Sequence, residues 1–316
     1  MEAAGEPLVS VIIPYYKRSE TIAETLNSVL KQDYHASEII VVDDHSEDDL
    51  SKIAAGLSRE IQIVEMPSNQ GACAARNAGI AASKGEVLVF LEDDVSFLSK
   101  SEISKIVRIF QDRPAYHVLS LKICDPDTGE LRLREWCHPR YWKKYSEEEF
   151  ETLWFGEGAS AFRREVFKNC GCYFEPFFYG AEGDDLVIRI FNSGYRILYV
   201  PQIRVGHRSS DKGRTSHRQY YFFTRNYVWT AYKNYHFILA LRYLFSKLAM
   251  MFYFAARTGS VASVLKGLRD GFKGLPALKP YRAVATKDTI RYMSQLERLR
   301  PGIWTRLARH RLTPQI

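Results

Sequence analysis

Three acidic residues, Glu92, Asp93 and Asp94, follow directly on an apolar run in the stretch EVLVFLEDDVSF. Like charges at adjacent positions repel, and near a core each also loses hydration. Such a cluster therefore faces water or holds a cation. Two more acidic groups recur along the chain: Asp43 and Asp44 end the run EIIVVDD, and Glu182, Asp184 and Asp185 stand in GAEGDDLVIRI. His207, in YVPQIRVGH, adds an imidazole. Each has a plainer explanation to compete with. Acidic loops are commonly solvated, acids at a helix N-terminus complement its dipole, and a lone histidine is often structural.

The elements that must carry these groups are legible in the apolar pattern. Residues 9–13, 38–42, 61–65 and 87–91 read as strands, and 20–31, 50–57 and 72–82 as the helices between them. Fully apolar strands spaced by helices indicate an α/β fold with a mostly parallel sheet covered on both faces. Ligands bind such sheets at the carboxyl ends of the strands, which is where PYYKR, DDHSEDD and EDD fall. Further strands are expected at 118–123 and in YRILYVP, with a helix after GAEGDD that ends at Gly194. GEGASAFRREVF has small residues suited to a close backbone approach, followed by a helix start. Residues 124–153 read as an irregular aromatic region.

Charge divides the 316 residues unevenly within a net of +7. Residues 1–203 hold 22 basic against 33 acidic side chains, whereas 204–316 hold 22 against only Asp211, Asp270, Asp288 and Glu297. An acidic body and a basic tail imply an anionic partner for the tail. Cys73, Cys124, Cys137, Cys170 and Cys172 show no paired spacing, so free thiols in a reducing compartment are expected. MEAAGEPLVS has neither a basic start nor an apolar run, which argues against a signal peptide.

Taken in order, VSVIIPYYKR, EIIVVDDHSEDD, NQGACAARNAGIAASKGEVLVFLEDD, GASAFRREVF, GAEGDDLVIR and GYRILYVPQIRVGH resemble the family 2 glycosyltransferases of the nucleotide-sugar-binding GT-A fold. The resemblance spans residues 8 to about 207. It implies a Rossmann-like sheet and a nucleoside-diphosphate-sugar donor, with Mn2+ or Mg2+ held by Asp94 at the family's Asp-X-Asp position. Hard oxygen ligands suit these cations. Asp93 or Glu92 would contact the ribose or a metal-bound water, and His207 would complete the metal shell or touch the diphosphate. Pro14 and Tyr16 match the turn and stacking ring for the donor base, a contact of ~1–3 kcal/mol. Asp44 matches the acid that accepts from uracil, with Asp48 and Asp49 left to cap the next helix. Gly71 would allow close approach to the donor, with Arg76 or Asn77 in reach.

The departure is at the base. The family's string is Glu-Asp-X-Asp-Leu, and the register set by Leu186 and Arg189 puts Gly183 where the family has its catalytic Asp. A sugar hydroxyl needs a carboxylate to accept its proton, so Glu182 or Asp184 is expected to serve, Glu182 being favoured for its longer arm. Asp185 is expected to orient the acceptor or cap the helix.

Residues 1–205 thus read as the catalytic domain, with a nucleotide-sugar and metal half at 8–123 and an acceptor half at 124–205. Residues 206–235 read as a linker or lid whose Arg208, Lys212, Arg214 and Arg218 supply cations to the diphosphate. Residues 236–316 read as a basic helical extension. The apolar stretch 237–256 carries Arg242 and Lys247 near its middle, each costing ~2.5–3.5 kcal/mol in a bilayer centre. A helix lying in a membrane interface or packed on the core is therefore preferred to a span. The expected activity is inverting transfer to a glycan or lipid-linked acceptor at the cytoplasmic side of an anionic membrane. A nucleotidyltransferase or a non-catalytic nucleotide-sugar- or membrane-binding protein is the alternative. No nucleic-acid module is recognisable.

Overall fold

The computed structural model describes residues 6–48, 50–57, 61–208 and 216–302. Strand β1 (Val9–Tyr15) leads through α1 (Ser19–Leu30) to β2 (Ser37–Asp43), then α2 (Leu50–Ala55), β3 (Gln62–Glu65), α3 (Ala72–Ala82) and β4 (Val87–Leu91). The chain continues as β5 (Val95–Phe97), α4 (Glu102–Asp112), β6 (Val118–Cys124), α5 (Trp142–Tyr145), β7 (Phe150–Glu151), β8 (Ala159–Arg163), α6 (Glu165–Cys170), α7 (Glu182–Asn192) and β9 (Ile197–His207). Helices α8 (Ser216–Asn234), α9 (Phe237–Arg257), α10 (Val261–Gly274) and α11 (Lys287–Glu297) follow.

The strands form one sheet in the order β3-β2-β1-β4-β8-β6-β9-β5, with β7 also on β9. β1 to β4 pair in parallel, as their apolar runs suggest. The other half is mixed, because β8 runs antiparallel between β4 and β6. The small residues ahead of it do mark a close approach. A Cβ on Gly158 would lie 2.8 Å from the backbone nitrogen of Glu92.

Period-two alternation puts Val87, Val89 and Leu91 in the core under α1 and α4. Leu88 and Phe90 point to the opposite core under α3, α6 and α7. Phe90 meets the rings of Phe162, Phe167 and Tyr173 edge-on, at 5.5, 5.7 and 6.1 Å. Each fully buried apolar side chain of this kind is worth roughly 1.5–3 kcal/mol. With both faces of β4 committed to packing, the polar residues of EDD can only emerge at its carboxyl end.

Two expectations need correction. Within 206–235 the described part beyond Arg208 is the 19-residue helix α8, a packed scaffold against α7, α9 and α10 rather than a linker. Lys212 and Arg214 lie outside the described residues. Arg208 pairs with Glu24 and Asp127, and Arg218 sits over the rings of Phe178, Tyr179 and Phe222. Asp48, read as a helix cap, instead accepts from the Tyr15 hydroxyl at 2.7 Å; Asp49 lies outside the described residues.

Helix α9 has two sides. Its Tyr243 and Lys247 reach inward to Asp184, while Phe237, Ile238, Leu241 and Phe245 are exposed. Among the described residues it is the one helix long and apolar enough to cross a membrane. The five cysteines are free thiols.

Candidate active site

β5 and β9 pair with Val95 opposite His207, and this register sets Asp94 against the imidazole. His207 Nε2 lies 3.4 Å from Asp94 Oδ1, and its Nδ1 is 2.8 Å from both carboxylate oxygens of Glu135. Glu92, Asp94 and His207 each offer one ligand atom, all within 4.8 Å of one another. His207 Nε2 is buried and has no hydrogen-bond partner among the described residues. Two carboxylates beside an imidazole whose far nitrogen is oriented by a third carboxylate make a donor set that fits Mn2+ or Mg2+. Burial works to lower the His207 pKa, but the Asp94 and Glu135 carboxylates beside its two nitrogens carry it up to about 10. Glu135 escaped the sequence reading because nothing in the irregular region 124–153 signals that the short turn Leu133–Glu135 lies beside the end of β9.

Asp93 faces the other way, towards the end of β1. Its Oδ1 accepts from Arg18 at 3.0 Å and its Oδ2 from the Tyr16 amide at 3.4 Å. Arg18 also binds Asp94 Oδ2. Burial, opposed by Arg18 and reinforced by Asp94, raises the Asp93 carboxyl to about 7.

The residues read as a nucleotide pocket surround the ends of β1 and β2. Tyr15 is sealed at 1% exposure whereas Tyr16 is 38% exposed, so the second tyrosine after Pro14 is the ring open to a ligand. Asp44 is buried, with Oδ1 accepting from the Gln70 amide and Oδ2 from the Gly71 amide, each at 2.7 Å. Burial raises its pKa against those two bonds.

Three expected donor contacts turn out to be internal. Gly71 has φ +87°, and a Cβ there would meet the Phe178 carbonyl at 2.5 Å, so the close approach is to protein. Asn77 is consumed by Tyr173 and Glu175: its amide donates to the Tyr173 carbonyl and to Glu175 Oε1, and its oxygen accepts from the Tyr173 amide. Arg76 is buried, donating to Glu182 Oε1 at 3.0 Å and to Glu92 Oε1 at 3.3 Å. It therefore ties Glu92 to the start of α7.

The carboxylates of α7 are separately engaged. Glu182 is buried against Arg76, and its Oε2 has no hydrogen-bond partner among the described residues. Asp184 is bound to the Tyr243 hydroxyl at 3.0 Å and Lys247 at 2.6 Å, so it faces α9. Asp185 is fully buried: Oδ1 takes Lys233 at 2.9 Å and Asn234 at 2.7 Å, and Oδ2 takes Arg189 at 3.0 Å. That arrangement anchors α7 to α8 and leaves Asp185 no path to an acceptor, against expectation. Asn226 of α8 completes the anchor by donating to the Phe177, Tyr179 and Gly180 carbonyls. A residue the sequence reading passed over, Glu157, lies against Gly183: a Cβ at 183 would be 2.3 Å from its Oε1. Burial, then the neighbouring Glu182 charge, pushes the Glu157 carboxyl up to about 8.

Residues 10–171 match the family described as Glycosyl transferase family 2. The chain belongs to this family. Among curated relatives it is 43% identical over 95 residues to the glycosyltransferase AglE of Haloferax volcanii, covering 28% of this chain and 31% of that protein. The chain thus spans about a third of the length of the first curated relatives it matches. Among solved structures, Staphylococcus aureus TarS 1–349 in complex with UDP-GlcNAc superposes with a TM-score of 0.59 at 19% identity, over 92% of this chain and 88% of that one. The mannosyltransferase PcManGT of Pyrobaculum calidifontis, in complex with GDP-Man and Mn2+, gives 0.56 at 18% identity over 98% and 89%. At these identities the structures establish the GT-A fold of this family 2 glycosyltransferase.

Proposed function

We propose that this family 2 glycosyltransferase moves a sugar from a nucleoside-diphosphate donor, a UDP-sugar in preference, to a hydroxyl of a glycan or lipid-linked acceptor, inverting the anomeric centre in one displacement. The observation that carries the reading is the meeting of Asp94, His207 and Glu92 at the β5–β9 pairing. Asp94 and His207, with Glu92 in reach, would hold Mn2+ or Mg2+. The cation supplies charge against the departing diphosphate. Tyr16 stacks on the base, with Pro14 shaping its turn and Asp44 and Asp93 beside it to meet the ring and ribose. A carboxylate gathered at the start of α7 receives the acceptor proton. The exposed apolar residues of α9, together with Lys266, Arg269 and Lys273 of α10, suit an anionic membrane surface carrying a lipid-linked acceptor.

The test is a panel of UDP-, GDP- and dTDP-sugars with Mn2+, read for nucleoside diphosphate, with and without phosphatidylglycerol vesicles. Nucleoside diphosphate release that Asp94→Asn abolishes supports the reading. Pyrophosphate release would make it a nucleotidyltransferase, and binding without turnover a non-catalytic receptor. Failure to co-sediment with the vesicles would remove the membrane part alone.

A further inference from the structure

Gly183 is short of a side chain at the first turn of α7, and the space is not empty. A Cβ there would lie 2.3 Å from Glu157 Oε1 and 3.2 Å from its Cδ. The carboxylate of another segment fills the slot that position 183 would otherwise occupy. Glu157 stands in the turn ahead of β8, closed by the Ala159 amide donating to the Gly156 carbonyl at 3.0 Å. That turn is seated against the end of β4 by the β4–β8 pairing, with Leu91 opposite Ala159. Glu157 is thereby fixed between the EDD segment and the start of α7.

The other acids at this corner have partners that hold them. Glu182 is committed to Arg76, Asp184 to Lys247 and Tyr243, and Asp185 to Lys233, Asn234 and Arg189. Among the described residues Glu157 makes no ion pair within 4 Å, and unlike Glu182 and Asp185 it is only partly buried. It is the acid of the group that is both accessible and held by no ion pair among the described residues.

We propose that Glu157, reaching from the β8 turn into the slot left by Gly183, is the general base of the transfer. The inference rests on the transferase reading above. In the step, the acceptor hydroxyl gives its proton to the Glu157 carboxylate as its oxygen bonds the anomeric carbon. The bond from that carbon to the diphosphate oxygen breaks, and the electron pair leaves with the nucleoside diphosphate. Glu157, now a carboxylic acid, returns its proton to water.

The experiment uses the full chain and whichever panel donor the wild type turns over, with water or an octyl glycoside as acceptor. Glu157→Gln keeps the shape and removes the basicity. Its kcat is expected to fall about 100-fold, in the range of a lost general base, while donor KM and calorimetric UDP affinity stay within about twofold. Glu157→Gly combined with Gly183→Asp returns a carboxylate to the slot from α7, and should recover at least about tenfold over Glu157→Gly alone. A packing role would instead lower the melting temperature and donor affinity, and Gly183→Asp would not rescue it. A kcat fall of less than about tenfold in Glu157→Gln overturns the assignment, as does a full loss confined to Glu182→Gln. No turnover of any donor by the wild type removes the transferase reading itself, and the base with it.

Discussion

Replacing Glu135 by alanine should weaken Mn2+ binding without touching any proposed ligand. Glu135 holds His207 Nδ1 through two contacts of 2.8 Å, which orients Nε2 towards Asp94. A hydrogen bond to a charged group contributes ~1.5–3 kcal/mol. Independently, loss of the carboxylate behind a ligating imidazole lowers metal affinity ~10–100-fold, or ~1.4–2.8 kcal/mol. The two ranges agree. Arg132 tempers the loss, since it lies 3.3 Å from Glu135 and also donates to the His207 carbonyl, so the β9 end keeps one tether. About a 10–30-fold rise in the Mn2+ dissociation constant is therefore expected. Glu135→Gln retains an acceptor oxygen and should cost about threefold, on the order of 0.7 kcal/mol. Electron paramagnetic resonance titration of Mn2+ at saturating UDP reads these values directly, with Asp94→Asn as the null-binding reference. An unchanged affinity in Glu135→Ala, in a wild type that binds Mn2+, would refute the orienting role; no Mn2+ binding by the wild type would refute the metal centre.

Asp185→Asn should unfold the anchor of α7, because it leaves Lys233 buried without its counter-charge at a cost of ~3 kcal/mol, or a melting temperature lower by roughly 6–12 °C. Asp185→Leu with Lys233→Met should regain most of that, and a wild-type melting curve for Asp185→Asn would return Asp185 to the list of acceptor ligands. His138 offers a pH readout: burial holds it neutral, well below its usual value, in a nest of Trp136, Phe150, Trp154 and Tyr199. The unfolded chain takes up its proton near pH 6.5 and the folded one does not. Its contribution is thus present above that pH and is lost as pH falls below it towards the folded value, by up to ~1.4 kcal/mol per pH unit. Urea titrations from pH 7 to 5 should show this slope in the wild type and a shallower one in His138→Gln; parallel slopes would mean the histidine titrates normally.

The sequence by itself determined the parallel half of the sheet and the edge at which chemistry collects. β1, β2 and β4 are mainly apolar runs, and a run that must be buried on both faces can place its charged groups only towards its ends. That is why Tyr16, Asp44 and Glu92–Asp93–Asp94 could be located without coordinates. The glycine at 183 was legible too, as a gap in a motif.

Tertiary structure decided what fills the gap and who holds whom. Arg76, Asn77 and Gly71 look like donor contacts in a one-dimensional string, yet each is taken by α7, by the Tyr173 and Glu175 segment, or by Phe178. Glu135 reaches His207 from the short turn Leu133–Glu135, and Glu157 reaches Gly183 from the turn seated by the β4–β8 pairing, both far away in sequence. Local periodicity encodes which residues are buried. It carries no record of which distant carboxylate will be delivered to a space only a few ångströms wide.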